Sequence, residues 1–410
     1  MTTMTDPPRE SFRLSMLLYD TRYRSMTIQV VALIFFLLAI GWLVNNTLIN
    51  LATLGKEPSF RFLSQPAGYD INQMLIEYNN QMTHFRAAMV GLLNTLLVAL
   101  LGCVTATVLG VIIGVLRLSN NWIVSRIMSV YVEMFRNVPV LLWILLVFAV
   151  VIESLPAPRA FRGENPEASM FLFDSVAFTN RGFYIPSIEF ASPIISSGTS
   201  WIIVIAVLVA SIIGMRAVRK RANKTQEATG ERPTTWYLQL AILFVPFIVL
   251  MFVFGAQLNY PELKGFNFKG GIHMRNSLIA LWLALSLYTA AFIAEIVRAG
   301  ILAISKGQSE AAGALGLRPN RIMSLVVLPQ ALRVIIPPLI SNWLNLTKNS
   351  SLAIAVGYMD ITGTLMGITL NQTGRELETL LLGMLIYLII SLTISAIMNW
   401  YNNSVKLVER

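Results

Sequence analysis

Three features of the chain predict an all-α integral membrane protein with about eight transmembrane helices. Hydrophobic residues fill 55% of its 410 positions and charged residues only 13%, roughly half the charged share of a soluble domain. Mean hydropathy is +0.65. The apolar residues also gather into runs of the length, about 20 residues, that crosses a hydrocarbon core.

Taken in order, those runs are 27–44, 88–116, 130–152, 200–216, 236–255, 276–297, 330–346 and 380–400. The first follows polar and basic residues and stops at Asn45-Asn46. No A-x-A pattern comes after it, so it reads as a retained anchor. Ahead of it, RESFRLSMLLYD has the makings of a short amphipathic interfacial helix. Segments 153–199 and 256–275 mix Pro, Gly, Phe and both charge signs, as ordered loops do, and 219–233 reads as a flexible polar loop. Trp42, Trp122, Trp201, Trp236 and Trp400 stand near run ends, where an aromatic belt forms.

Orientation follows from Lys and Arg. With the N-terminus inside, 20 of the 31 fall in segments 1–26, 117–136, 216–235, 298–333 and 401–410. That excess places both termini in the cytoplasm, with Arg216, Arg219, Lys220, Arg221 and Lys224 as the strongest anchor. The net charge of +10 is then topology, and nucleic acid has no part in it.

Much chemistry is excluded. Cys103 is the lone cysteine, so no intrachain disulfide forms. His84 and His273 are the only histidines; they stand just before runs, as plain interfacial residues, and no metal site is expected. G-x-x-x-x-G-K-[ST], G-x-S-x-G, H-E-x-x-H and C-x-x-C are all missing. Transport is the default class.

The most informative stretch is the cytoplasmic loop 305–329 and its continuation to Arg333. Ser305 and Gln308 have capping-box spacing, which starts a short helix at Lys306. Gly316 supplies the left-handed position that stops it. Pro319 suits the first turn of a second helix, and Pro329 breaks or kinks that helix where it meets the membrane. From physics alone, an interfacial hairpin and a docking surface for a partner are equally open.

The residues also carry a resemblance. Glu310-Ala311-Ala312, three residues, Gly316, nine residues, then Val326-Val327-Leu328-Pro329 resembles the EAA loop of ABC-importer permeases, with Val326 in place of Ile. Asn94-Thr95-Leu96, Tyr131 to Pro139, Ala294 to Gly300, Leu328 to Arg333 and Lys348 to Leu352 resemble the polar amino acid branch. Asn349 and Asn137 depart from that branch, which often has an acid and a Gly there. The layout is similar to permeases of general L-amino acid importers, with Phe62-Leu63 and Ala67 to Ile71 ahead of the core.

The resemblance implies a five-helix core in 88–152 and 276–410, preceded by 1–87 and interrupted by a two-span insertion, 153–275. It assigns Glu310, Ala311, Ala312, Gly316, Leu328 and Pro329 to ATPase coupling. It also implies a second permease subunit, homologous or identical, two cytoplasmic ATPases that hold ATP-Mg, and an extracytoplasmic amino-acid-binding protein, all at a bacterial inner membrane. This chain would hold no cofactor and catalyse nothing; an ion-gradient-driven secondary transporter is the alternative, and it would not need the loop.

Two sets of polar residues sit in or near the membrane. Glu133 with Arg136, and Glu295 with Arg298, are spaced i,i+3 and can pair on one helix face, as gates or as interfacial anchors. Pro337-Pro338 frees backbone carbonyls within the seventh run, and Asn342, Asn345, Lys348, Asn349, Ser350 and Ser351 follow. Such residues usually face a bundle interior or a water-filled path, so they are the candidate translocation path. Tyr288 and Thr289 are expected to serve helix packing.

Overall fold

The computed structural model describes residues 16–163, 165–190 and 197–405. Most of the expected interfacial helix at 9–20 therefore lies outside the described residues; only α1 (Met16–Tyr19) remains of it. Among the described residues eight helices are long and apolar enough to cross a membrane.

The first is α2 (Thr21–Thr53), exposed at nearly every position and standing apart from the rest. Residues 54–83 then form a loop with few regular turns, and Thr83 caps α3 (His84–Leu116) by accepting the Arg86 N–H. The expected span 130–152 is not one helix. It divides into an amphipathic α4 (Trp122–Asn137) and α5 (Val140–Ser154), with extended backbone at Val138 and Pro139 between them. Pro139 has no N–H to continue the ladder and holds its predecessor out of the α region.

The insertion carries α6 (Ser197–Thr229) and α7 (Trp236–Val253), which pack on each other. Helix α6 runs through the segment expected as a flexible loop, because Ala, Arg, Lys, Gln and Glu are all good helix formers. It stops at Gly230, φ +77°. The flanking loops are more regular than expected. Strands β1 (Ala177–Thr179), β2 (Gly182–Ile185) and β7 (Ile272–Met274) make one antiparallel sheet, β3 (Ser187–Phe190) pairs with β4 (Ala256–Asn259), and β5 (Glu262–Lys264) with β6 (Asn267–Lys269). His273 is no plain interfacial residue. Its ring stacks on Tyr184 at 4.3 Å and its Nε2 lies 3.1 Å from the Arg181 carbonyl, so Nε2 carries the proton.

The heart of the bundle is α3 against α8 (Asn276–Leu302). Hydrocarbon offers no hydrophobic drive, so helices in it associate through close packing of small residues. Gly110 and Gly114 supply it: an added Cβ would lie 2.6 Å from Ile293 Cβ and 2.7 Å from the Ala294 carbonyl. Trp282 donates to Thr105 at 3.1 Å and Trp343 to Thr107 at 2.9 Å, so the polar atoms of α3 are tied to both neighbours. Thr289 is buried in this interface and Tyr288 packs on Phe292, both as packing residues.

Beyond α8 come α9 (Lys306–Ala314), α10 (Pro319–Ile322) and α11 (Leu328–Asn349). Residues 350–373 are largely helical, ending in α12 (Leu370–Thr373) before the last span, α13 (Glu376–Val405).

Candidate functional site

The loop 305–329 builds the two-helix element. Gly316 has φ +78°. Its N–H bonds to the Gly313 carbonyl at 2.9 Å, and the Leu317 N–H to the Ala312 carbonyl at 3.3 Å. That pair of bonds is a Schellman close, which needs the left-handed residue. At the other end the capping box does not form: Ser305 has extended backbone but its side chain accepts nothing. The Gln308 N–H reaches the Ser305 carbonyl instead, at 3.1 Å. Glu310 and Ala311 are exposed, Ala312 is buried, and Leu315 is 82% exposed. Pro329 does not end the second helix. A π turn over Met323–Val327 absorbs the lost bond and joins α10 to α11 in one bent rod, a standard cause of a kink. Leu328 is exposed at that bend.

Close above the loop, Glu295 on α8 gathers three arginines. Arg298 is 2.9 Å away and Arg136 of α4 is 3.9 Å away, and Arg117 at the end of α3 pairs with it too. The Glu295–Arg298 pairing is thus part of a four-residue cluster that ties together three helices. The expected Glu133–Arg136 pair does not form. Phe135 stacks inward on Trp143 at 4.1 Å, which turns Arg136 toward α8 and leaves Glu133 exposed. Arg117 carried no local sequence signal, since its partner is on another helix.

The candidate path residues divide. Asn345 and Lys348 lie exposed on one face of α11, with Asn342 beside them donating to the Pro338 carbonyl at 3.0 Å. Lys348 borders a groove of about 490 Å³ shared with Tyr387 and Ser391 of α13. Asn349 and Ser351 are half-buried, and Ser350 is turned inward, donating to the Thr347 carbonyl at 2.8 Å.

At the end of the bundle opposite the loop lies a polar cluster the sequence reading did not assemble. Asn94 donates to the carbonyls of Gln73 and Met359 at 2.7 and 2.8 Å, and Thr95 accepts the Ile361 N–H at 3.1 Å. Asp360, fully buried, accepts from the Gly363 N–H at 2.8 Å and from Tyr387 at 3.1 Å. His84 is only 3% exposed, not interfacial, with Nδ1 3.0 Å from Thr369 Oγ1. The Asn-Thr pair could have signalled an interhelical tie. Asp360 gave no such signal.

Among the described residues no group of three His, Cys, Asp or Glu could hold a metal ion.

Known proteins align closely with this chain. The family model for the binding-protein-dependent transport system inner membrane component matches residues 235–406. The glutamate/glutamine/aspartate/asparagine transport system permease protein BztB of Rhodobacter capsulatus is 59% identical over all of both chains. The general L-amino acid transport system permease protein AapQ of Rhizobium johnstonii is 44% identical, over 98% of this chain and 96% of its own length. The putative amino-acid ABC transporter permease protein YhdX of Escherichia coli is also 44% identical, over 94% of this chain and 95% of its own. Full-length identity at this level, the family match through the cytoplasmic loop and the two-helix geometry of that loop agree, and the chain belongs to the binding-protein-dependent transport system inner membrane component family.

Proposed function

We propose that this chain is a transmembrane subunit of an ATP-driven importer of L-amino acids, one of a pair of permeases that line the path. The observation that carries the reading is the loop, two helices joined by the Gly316 close with Glu310, Ala311 and Leu315 uncovered. The names of its relatives support amino acids as cargo, and BztB supports acidic amino acids and their amides among them. Two cytoplasmic ATPases would bind ATP-Mg and grip α9, and a loaded binding protein would dock outside. Both termini would lie in the cytoplasm.

In this reading the chain's own residues transmit motion. Force on α9 passes through the Schellman close to α10 and, by the π turn, into α11, whose exposed polar face carries Asn345 and Lys348. Exposed polar side chains in hydrocarbon are costly, so that face needs a second permease or water against it. The Glu295 cluster moves α3, α4 and α8 as one body beside it. An ion-gradient-driven carrier would have no use for the uncovered loop.

The test is uptake of a panel of labelled amino acids by the complex in proteoliposomes, with binding protein, with and without ATP. ATP-dependent accumulation is expected. Uptake that follows an imposed ion gradient and ignores ATP would overturn the importer reading.

A further inference from the structure

The outer end of the chain holds a second polar feature that the coupling mechanism does not use. Between residues 59–66 and the turn before α13 lies a cavity of about 630 Å³, within the range of about 300–1,000 Å³ typical of small-molecule sites. Its walls are mostly polar, with Arg61, Gln65, His84, Gln372, Thr373 and Arg375 among them, and no carboxylate lines it.

The two guanidiniums differ. Arg375 is neutralised within the chain: it bonds to the Glu57 carbonyl and lies 3.3 Å from Glu378, whose carboxylate also accepts the Ser59 N–H at 3.0 Å. Arg375 is a wall. Arg61 is exposed and no described carboxylate lies within 4 Å of it. It presents an unmatched positive charge and a planar fork suited to a carboxylate.

His84 presents the opposite polarity. Tyr69 donates to the Thr364 carbonyl at 3.4 Å, so its oxygen accepts from Thr369 at 3.1 Å. The single Thr369 hydroxyl proton is thereby used, and the 3.0 Å contact to His84 must run from Nδ1–H to Thr369 Oγ1. This hydrogen-bond network assigns the tautomer. It leaves the Nε2 lone pair on a ring that lines the cavity, whose described hydrogen bond is made at Nδ1. A lone pair in that position accepts from an ammonium and repels a carboxylate.

We propose that this cavity binds a free zwitterionic amino acid, its α-carboxylate on Arg61 and its ammonium on His84 Nε2. The site rests on the importer reading and adds a station to it, outside the membrane and before the α11 face. A simple anion would use Arg61 alone and leave the acceptor opposite unexplained.

The experiment is equilibrium binding of labelled L-glutamine to the whole transporter in nanodiscs, without binding protein or nucleotide. Saturable binding is expected, displaced by other zwitterionic amino acids and not by equal concentrations of acetate or methylamine. Arg61→Gln should weaken it at least tenfold, Arg61→Lys less, and His84→Gln should weaken it also. Lys264→Ala, in the exposed β5–β6 ribbon, should leave it unchanged. Absence of saturable binding, equal binding by Arg61→Gln, or displacement by acetate alone would overturn the site. Phosphatidylethanolamine also carries an anion and an ammonium. Binding seen only in discs free of that lipid would assign the cavity to its headgroup and overturn the proposal. ATP-driven uptake, measured on the same preparation, reports on the importer separately: uptake without Arg61-dependent binding removes the site and leaves the function.

Discussion

Gly316 and Gly230 both close helices with nearly the same backbone, φ +78° and +77°, and an added Cβ meets nothing within 4 Å at either. A β-branched residue at either position therefore costs about the same, of order 1–2 kcal/mol. This makes Gly230→Val a control matched for strain. Gly316→Val should abolish ATP-driven uptake and reduce co-purifying ATPase, and Gly230→Val should do neither. Equal uptake by the two would remove the loop from coupling. Glu310→Lys, which keeps the helix and reverses an exposed charge, should act like Gly316→Val. Gly91 is a different kind of glycine. An added Cβ would run into Thr364 Oγ1 and lie 2.8 Å from the Asp360 carbonyl, both fixed by hydrogen bonds. Gly91→Ala should lower the melting temperature of the complex, by an overpacking cost of about 1–3 kcal/mol. Gly316 was legible in sequence because its motif is local. Gly91 was not, because what it makes room for lies in a distant segment.

Between elements, the Glu295 cluster shows where spacing reasoning stops. A pair at i,i+3 can be proposed from one helix, but whether it forms depends on what the next helix offers. Arg298 stayed with Glu295, whereas Arg136 left Glu133 for the same carboxylate, because inward stacking of Phe135 fixes the rotation of α4. Glu295→Gln would leave three arginines crowded without their anion. A loss of about 1–3 kcal/mol, the worth of hydrogen bonds to a charged group, is expected in thermal melts. Arg136→Gln, which removes the longest contact, should cost less. A larger effect from Arg136→Gln would show that α4 is held by that arginine. The strands escaped the sequence reading for another reason: segments of three or four residues carry no measurable alternation. One of them titrates. Burial against Tyr184 pushes the His273 pKa below its ordinary value. The unfolded imidazole therefore takes up a proton before the folded one, and stability of the β1–β2–β7 sheet falls as pH drops through about 6.5. Protection factors of amides in peptides covering 177–185, with the intrinsic exchange rate at each pH divided out, should be lower at pH 5.5 than at 7.5, and His273→Gln should flatten that difference.

For the molecule as a whole, what sequence shows well is the number of spans, because it follows from sums over many residues. It shows poorly which spans touch. Helix α2 and the α6–α7 pair are as apolar as the core helices, with window hydropathies of 2.5, 2.4 and 2.3, yet they stand outside the α3–α8 contact. In the α3–α8 contact small residues let the backbones close up, as Gly110 and Gly114 do against Ile293 and Ala294. The insertion remains the boldest topological statement, since it places residues 219–233 and 256–275 on opposite sides of the membrane. In a Cys103→Ser background, cysteine at Asn223 sits on the cytoplasmic end of α6 and cysteine at Lys264 in the exposed β5–β6 ribbon. Lys264 gives up only a surface pair with Glu262, which contributes little, so the label should not disturb the fold. A membrane-impermeant maleimide applied to intact spheroplasts should modify Lys264→Cys at once and Asn223→Cys only after permeabilisation. Because α6 and α7 pack as an antiparallel pair, neither can cross alone without the other. Outside labelling of both sites would therefore take both helices out of the membrane, and would show the insertion to be a surface hairpin held by the ribbon at its base.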